Sequence, residues 1–487
     1  VEDTITINLN SQTSVISAGD YFIHDIVKKM ENDLGVDIGY NGEDVVFKNL
    51  PLGTIEFYPL GGDLDGLSGD YAGRSVSLSS DGSIVAIGAF GHDGGKGTVR
   101  VYQIDVTNTA VAPMGWSQLG GDLDGLSGDY AGRSVSLSSD GSIVAVGAYS
   151  HDSDNTTDNI GTVRVYQRDV TNTAVAPIGW SQLGGNLDGL SGDNAGLSVS
   201  LSSDGSIVAV GASYHDGSTP NNKGTVRVYQ IDVTNNVAPI GWSQLGGDLD
   251  GESGDYAGMS VSLSSDGSIV AVGAGGHDSK GTVRVYQRDA TNTTVAPIGW
   301  SQLGGDLDGL SGDYSGSSVS LSSDGSIVAV GANQHDSTKG TARVYQRDIT
   351  NTAVAPIGWS RLGGDLDGLS GDYSGNSVSL SSDGSIVAVG AYYHNGGKGT
   401  VRVYQIDVTN NVAPIGWSQL GGDLDGESGD NAGLSVSLSS DGSIVAVGAY
   451  RHDIDDIDYK GTARIYNSRE PSIQVTIQTA QTKVSGS

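Results

Sequence analysis

The sequence predicts an all-β fold, a seven-bladed β-propeller whose ring is closed by a strand from near the N-terminus. The phrase SVSLSSDGSIVAVGA, or a near copy, occurs seven times, and each copy is followed by G-T-[VA]-R-[VI]-Y. A second phrase, LGGDLDG or a close variant, also occurs seven times, but its first copy precedes the first SVSLSS copy. Self-similarity at a fixed period, with short strands separated by glycine-rich turns, is typical of propellers.

One repeat predicts the four antiparallel strands of a blade, which we name a, b, c and d from the inside of the ring outwards. Residues 75–78 alternate small polar with apolar side chains, and residues 84–89 are an apolar run suited to a strand buried on both faces. A tight turn at residues 80–82 joins them. Residues 98–102 and 116–119 supply the third and fourth strands.

The unequal ends of the repeat array distinguish a closed ring from an open solenoid. The seventh repeat, residues 435–466, has no LGGDLDG phrase after it, whereas residues 54–60 hold a fourth strand without a repeat. Joining the two completes the seventh blade and removes two exposed sheet edges. An open array would need polar capping repeats, and the first and last copies are not polar.

The predicted domain organisation is an N-terminal appendage at residues 1–53, the propeller at residues 54–466 and a C-terminal tail at residues 467–487. The appendage is expected to be a small α+β unit. It either caps the propeller or tethers it to an assembly by pairing a strand with a neighbour's sheet. The patterns behind this are strands at 4–9, 45–47 and 472–477 and a helix at 21–34 that places Phe22, Ile26, Met30 and Leu34 on one face.

Charge and composition exclude several function classes. A formal net charge of −32 argues against nucleic acid, whose phosphates need basic side chains, and against anionic membrane surfaces. No run of 18 apolar residues occurs, so no membrane span is expected. The chain has no cysteine, which removes disulfides and thiol chemistry.

An Asp-rich phrase, D-L-D-G-x-S-G-D, connects strand d of one blade to strand a of the next. Asx turns and glycine corners would explain it structurally. A Ca²⁺ site is the alternative, although no bidentate glutamate stands at the twelfth position of an EF-hand pattern. The candidate metal ligands are Asp63, Asp65, Asp70, Asp122, Asp124, Asp129, Asp248, Asp250, Asp255, Asp306, Asp308, Asp313, Asp365, Asp367, Asp372, Asp423, Asp425 and Asp430, with a weakened copy at Asn186, Asp188 and Asp193.

One histidine per blade lies between strands b and c and forms a predicted face ring. Since b–c and d–a connections share a face of a propeller, these histidines are expected near the Asp-rich connections. They either hydrogen-bond the neighbouring connection, share a metal site, or form a proton-sensitive ring near pH 6. The ring comprises His92, His151, His215, His277, His335, His394 and His452.

Strand c carries one arginine per blade, flanked by apolar residues. A structural ion pair with a carboxylate between neighbouring blades is the main interpretation, and an anion site the weaker one. The seven are Arg100, Arg164, Arg227, Arg284, Arg343, Arg402 and Arg464.

The repeat resembles the FG-GAP repeat of integrin-α-type propellers over residues 54–466. The resemblance implies the propeller fold and a Ca²⁺ loop between the first two strands. Here that loop has shrunk to Ser-Asp-Gly, as at residues 80–82, so the usual calcium site of the family is expected to be absent. Pairs in the Phe-Gly position are Ala72-Gly73, Ala131-Gly132 and Ser315-Gly316, and pairs in the Gly-Ala position are Gly88-Ala89 and Gly147-Ala148.

The near identity of the blades predicts a non-enzymatic protein, because catalysis needs an asymmetric set of groups. The main functional prediction is a structural or adhesive module on an extracellular, cell-surface or virion-surface assembly, which binds protein partners through loops on one face. The alternative is a soluble, multivalent lectin-like module with one weak glycan site per blade. That alternative predicts exposed tyrosines at Tyr71, Tyr130, Tyr256, Tyr314 and Tyr373, replaced by Asn194 and Asn431 in two blades.

Overall fold

A computed structural model shows the protein as a seven-bladed β-propeller. The chain forms two compact units, Pro59–Asn467 and Val1–Tyr58 with Ser468–Ser487. The structure describes residues 4–9, 12–17, 37–40, 45–48, 55–105, 107–108, 113, 115–152, 158–216, 222–235, 237, 239–407, 409–410, 412–453, 459–469 and 474–478.

Each blade is an antiparallel sheet in the order a-b-c-d. The seven a strands are Ala72–Leu78, Ser134–Leu137, Ser198–Leu201, Ser260–Leu263, Ser315–Leu321, Ser377–Leu380 and Ser435–Leu438. The b strands are Ile84–Ala89, Ile143–Ala148, Ile207–Ala212, Ile269–Ala274, Ile327–Ala332, Ile386–Ala391 and Ile444–Ala449.

The outer strands follow the same pattern. The c strands are Thr98–Ile104, Thr162–Arg168, Thr225–Ile231, Thr282–Arg288, Thr341–Arg347, Thr400–Ile406 and Thr462–Arg469. The d strands are Trp116–Gln118, Trp180–Gln182, Trp242–Gln244, Trp300–Gln302, Trp359–Arg361, Trp417–Asp425 and, in the seventh blade, Glu56–Pro59.

Short elements occupy the connections. Two-residue strands pair with strand c at Leu64–Asp65, Leu123–Asp124, Leu187–Asp188, Leu249–Asp250 and Leu366–Asp367. The b–c connections, expected to be plain loops, contain single helical turns at His92–Gly95, His277–Ser279, His335–Thr338 and His394–Gly397.

The predicted closing strand is confirmed. The sheet of the seventh blade has the order Ser435–Leu438, Ile444–Ala449, Thr462–Arg469 and Glu56–Pro59. The Leu60 amide donates to the Ile465 carbonyl at 2.7 Å, and Leu64 pairs with Ala463. Leu64 is 1 % exposed, so the N-terminal segment seals the ring with apolar contacts as well as backbone hydrogen bonds.

The core lies between blades, where strand b is sandwiched. All six residues of Ile84–Ala89 are buried, as their apolar run predicts. All six tryptophans begin a d strand and are at most 1 % exposed. The Trp116 indole donates to the Leu60 carbonyl at 2.9 Å, and each of the other five reaches the equivalent leucine of the preceding connection. Blades 1 to 6 are each thereby bonded to the blade before them, whereas the seventh blade, whose d strand is Glu56–Pro59, has no tryptophan at this position.

A ring of backbone hydrogen bonds closes one end of the central channel. In each a–b turn one serine donates its amide to the carbonyl of the equivalent serine in the next blade, at 2.7–2.8 Å. The last bond, from Ser440 to Ser80, returns to the first blade. The participants in order are Ser80, Ser139, Ser203, Ser265, Ser323, Ser382 and Ser440. The tight Ser-Asp-Gly turn therefore places one serine of each blade in the ring.

The terminal segments contribute strands of their own. Thr4–Leu9 lies between Gln12–Ser17 and Gln474–Gln478 in a three-stranded sheet, and Asp37–Tyr40 pairs with Val45–Lys48. The predicted strands at residues 4–9 and 45–47 are thus present, and the tail strand begins two residues later than predicted. The predicted helix at residues 21–34 lies outside the described residues.

Candidate functional face

The b–c and d–a connections lie on the same side of every antiparallel blade, and we call this side the upper face. The a–b turns and the c–d connections form the lower face. The upper face holds the Asp-rich connections, the histidine ring and the start of each a strand. As the sequence predicted, histidines and Asp-rich connections come together: His277 Nδ1 lies 2.9 Å from Asp255 Oδ1.

The last aspartate of each Asp-rich phrase is the buried centre of a network. Asp255 is 2 % exposed. Its Oδ2 accepts hydrogen bonds from Arg284 Nη1 at 2.8 Å and from the Glu252 amide at 2.9 Å, while its Oδ1 faces His277. The equivalent arginine, histidine and backbone amide contact the corresponding aspartate in the other six blades, namely Asp70, Asp129, Asp193, Asp313, Asp372 and Asp430.

Each strand c arginine also reaches the next connection. Arg284 Nε donates to Asp306 Oδ2 at 2.9 Å, so one guanidinium joins the connection that enters its blade to the connection that leaves it. Arg164 is the exception, because Asn186 replaces that second carboxylate, so that Asp129 is the one described carboxylate that pairs with it. The prediction of a structural arginine–carboxylate pair is confirmed in all seven blades.

These contacts shift the acid–base behaviour of the carboxylates. Burial alone would raise the pKa of Asp129, but hydrogen bonds from His151 and the Leu126 amide lower that pKa to about 2. The equivalent contacts, from His452 and the Glu427 amide, lower the pKa of Asp430 to about 2. The hydrogen bond to Asp430 in turn raises the pKa of His452.

The first two aspartates of each phrase remain nearer the surface and form small clusters with a histidine. In one cluster, donor atoms of His277, Asp306 and Asp308 lie within 4.8 Å of one another. Similar clusters join Asp63 and Asp65 with His452, Asp122 and Asp124 with His92, Asp248 and Asp250 with His215, and Asp365 and Asp367 with His335. The structure therefore brings the predicted metal ligands together in part, because the last aspartate of each phrase faces an arginine instead.

The donor set of a cluster fits calcium incompletely. Ca²⁺ prefers six to eight oxygen ligands, whereas each cluster offers two carboxylates and an imidazole. The strand c arginine already donates to one of those carboxylates, as Arg284 does to Asp306. Calcium binding at these aspartates stays a prediction.

The tyrosines offered for a lectin-like site are less exposed than expected. Tyr314 is 49 % exposed, but the other four are only partly exposed. Tyr71 stacks on Tyr459 with ring centroids 5.3 Å apart. All five, with Asn194 and Asn431, have positive φ angles of 52–55°, a conformation that bulky residues rarely adopt. The positive φ belongs to the turn that leads into strand a, two residues before its glycine, so these residues have a backbone role there.

Sequence reasoning missed one set of residues, at the inner edge of the upper face. We call it the upper rim, which is the position directly after the Ala-Gly or Ser-Gly pair through which the chain enters each a strand. Within a nearly identical repeat this position varies from blade to blade, and comparing the seven copies column by column would have exposed it. The upper rim consists of Arg74, Arg133, Leu197, Met259, Ser317, Asn376 and Leu434.

Comparison with known proteins identifies no relative: no family model matches the chain, and no curated protein is similar to it. The fold is that of a β-propeller, and membership of the FG-GAP family stays a prediction. Among the described residues, no helix has the length and apolar character needed to cross a membrane.

Proposed function

We propose that the protein is a non-enzymatic binding module that engages protein partners through its upper face, in an assembly outside the cell. One observation carries the proposal. The blades share nearly all of their scaffold residues, whereas the upper rim and the residues that follow strand b differ from blade to blade. Variation of this kind on one face of a repeat array is typical of a binding face.

The residues after strand b support this assignment. The first residue is aromatic in four blades, at Phe90, Tyr149, Tyr392 and Tyr450. Two further tyrosines in these connections, Tyr214 and Tyr393, are 45 % and 47 % exposed. Aromatic side chains supply much of the binding energy at protein interfaces. The partly exposed aromatic groups of the upper face are thus suited to contact with another protein.

A lectin-like function is the second candidate, and the outer side of the blades favours it more than the tyrosines do. Blades 2 and 4 each have an open cavity between strands c and d, of 740 and 570 Å³. The cavity of blade 4 is lined by Tyr286, Asp289, Trp300 and Gln302, among others. Polar side chains of this kind can hydrogen-bond the hydroxyl groups of a sugar, whereas Tyr286 and Trp300 themselves are buried. Several equal sites on one chain would add avidity.

Hydroxyl-radical footprinting of the protein in its native assembly tests the main proposal. Tyr214 and Tyr393 report on the upper face, and Val233 and Ile349, which are 83 % and 78 % exposed in c–d connections, report on the lower face. We expect oxidation of the two tyrosines to fall relative to the isolated protein while Val233 and Ile349 stay reactive. Protection of the lower face alone would contradict the proposal.

A glycan array with the isolated protein separates the two candidates. Binding that is lost in a variant with outer-cavity substitutions, such as Gln302→Ala with Asp289→Ala, would favour the lectin-like function. Binding to no glycan, together with upper-face protection in the assembly, is the outcome expected for the protein-binding module.

A further inference from the structure

The upper mouth of the central channel is the least symmetric part of the propeller. A cavity of 550 Å³ opens there. Its wall includes all seven residues of the upper rim, with Tyr149, Asn194, Tyr214 and Asn333 around them. Because strand a is the innermost strand of every blade, these side chains converge on one space.

Two arginines of adjacent blades form one side of this mouth. No side-chain hydrogen bond or ion pair joins the guanidinium of Arg74 or Arg133 to any residue that the structure describes, in contrast to the seven strand c arginines. Their contacts are with aromatic rings: Arg74 Cζ lies 5.6 Å from the Tyr450 ring centre, and Arg133 Cζ lies 5.9 Å from that of Tyr149. Aromatic faces position a guanidinium but leave its N–H donors unused.

The two arginine side chains are partly buried beside each other, and both effects disfavour their positive charges. Burial, with the adjacent Arg133 charge, lowers the pKa of Arg74, and burial likewise lowers the pKa of Arg133. Arginine nevertheless keeps its proton in proteins. The mouth thus holds two half-buried positive charges and no described carboxylate to neutralise them, in a protein whose net charge is −32.

The remainder of the mouth is apolar next to the arginines and polar opposite them. Leu434 and Leu197 occupy the two flanking blades, and Met259 follows Leu197. Across the channel Asn333 Nδ2 donates to Asn376 Oδ1 at 3.2 Å. A ligand in this space would meet charge on one side, apolar surface at the flanks and amides on the far side.

We propose that the upper mouth of the channel binds a small organic anion, with its oxyanion group on Arg74 and Arg133 and its apolar or aromatic body against the flanking leucines and tyrosines. The N–H groups of two guanidinium ions can donate hydrogen bonds to the oxygens of a carboxylate, a sulfonate or a phosphate. This site goes beyond the proposed function, because a small ligand can occupy the mouth whether or not the loops around it bind a protein.

Isothermal titration of the full chain at low ionic strength tests the proposal with four probes of one shape. The anions are naphthalene-1-sulfonate, 1-naphthyl phosphate and 1-naphthoate, and the neutral probe is naphthalene-1-methanol. We expect at least one anion to bind with one site per chain, at least about tenfold more tightly than the neutral probe, and to weaken as salt is added. The ranking of the three anions identifies the preferred oxyanion.

The repeats themselves supply the variants. Arg74→Leu with Arg133→Leu installs the residue that blades 3 and 7 already carry at the same position, so the fold has precedent for it. Arg168→Ile with Arg288→Ile is the matched control, because it removes two exposed arginines at a position that is isoleucine in blades 1, 3 and 6. Both variants change the net charge by the same amount.

We expect the rim variant to lose at least about tenfold in anion affinity, with the neutral probe unaffected, and the control variant to bind as the wild type does. Equal affinity of the rim variant and the wild type would overturn the proposal. So would wild-type protein that binds none of the three anions, a result that needs no variant to fold. Neither outcome bears on upper-face footprinting in the assembly, so this site and the proposed function fail separately.

Discussion

The two ends of the central channel differ in how much their residues vary from blade to blade. At the lower end seven serines of seven identical turns form one circle of hydrogen bonds. At the upper end the seven rim positions carry two arginines, two leucines, a methionine, a serine and an asparagine. The difference shows that sequence identity is kept where each blade must bond to the next, and that the variable positions are those that closure of the ring does not use.

The upper face contains both kinds of position. The buried aspartate, histidine and arginine network repeats in every blade, although it lies on the variable face. Towards the channel, the rim residues differ from blade to blade. Identity on the upper face therefore indicates a scaffold role, and the network is expected to affect stability more than binding.

The largest effect is expected from breaking this network. Asp255→Asn leaves Arg284 partly unpaired in a buried site and should cost about 3 kcal/mol of the free energy of unfolding. Asp308→Asn, at an exposed aspartate of the same phrase type, should change it by less than about 0.5 kcal/mol. Urea unfolding followed by tryptophan fluorescence measures both, since all six tryptophans are buried. Equal effects of the two substitutions would contradict the assignment of the network to the scaffold.

Ring closure is expected to give a similar or slightly smaller effect. Leu64→Ala removes a side chain that is 1 % exposed in the closing segment, and should cost about 2–3 kcal/mol. Leu67→Ala, three residues away and 60 % exposed, is the control and should cost little. Hydrogen exchange at the Ser440 amide should quicken in the first variant alone, since that amide completes the lower circle.

Acid should weaken the upper network before the lower circle. The folded-state pKa of about 2 for Asp129 and Asp430 lies below the ordinary value of 3.8. Their stabilising contribution is therefore complete above about pH 4 and is lost as the pH falls towards 2. Unfolding free energies measured from pH 5 to pH 2 should decline, with a shallower decline in Asp129→Asn. An identical slope in wild type and variant would contradict the shift.

Calcium is expected to have the smallest effect. The acidic side chains of each cluster are two aspartates, beside a histidine, which is fewer carboxylates than a typical Ca²⁺ loop supplies. We therefore expect a rise of a few degrees at most in the melting temperature between chelator and about 10 mM CaCl₂. Asp306→Asn with Asp308→Asn should reduce that rise. A large rise, or micromolar affinity by titration, would show that the aspartates bind calcium as a built site.

The sequence predicted the ring more completely than the sites. Blade number, strand order and the closing role of residues 54–60 follow from repetition and strand periodicity, which are local properties. The sequence predicted a histidine near the Asp-rich connections and a carboxylate for each strand c arginine. It did not show that one aspartate, Asp255, contacts both Arg284 and His277, because that depends on three separate segments folding together. The upper rim was missed because the motifs that carried the predictions consist of residues that recur in every repeat. Arg74 and Arg133 stand at a position where the repeats differ, so no recurring motif includes them.

A variant with a symmetric upper rim tests most directly whether the variable rim residues bind the anion. Arg74→Leu, Arg133→Leu, Met259→Leu, Ser317→Leu and Asn376→Leu together make all seven rim positions leucine. Thermal unfolding followed by titration with the naphthyl anions is then the measurement. We predict no detectable anion binding, and a melting temperature close to that of the wild type, because removal of two unpaired charges offsets the lost side-chain hydrogen bonds of Ser317 and Asn376. Anion binding at wild-type affinity would contradict the division between a repeated scaffold and a variable binding rim.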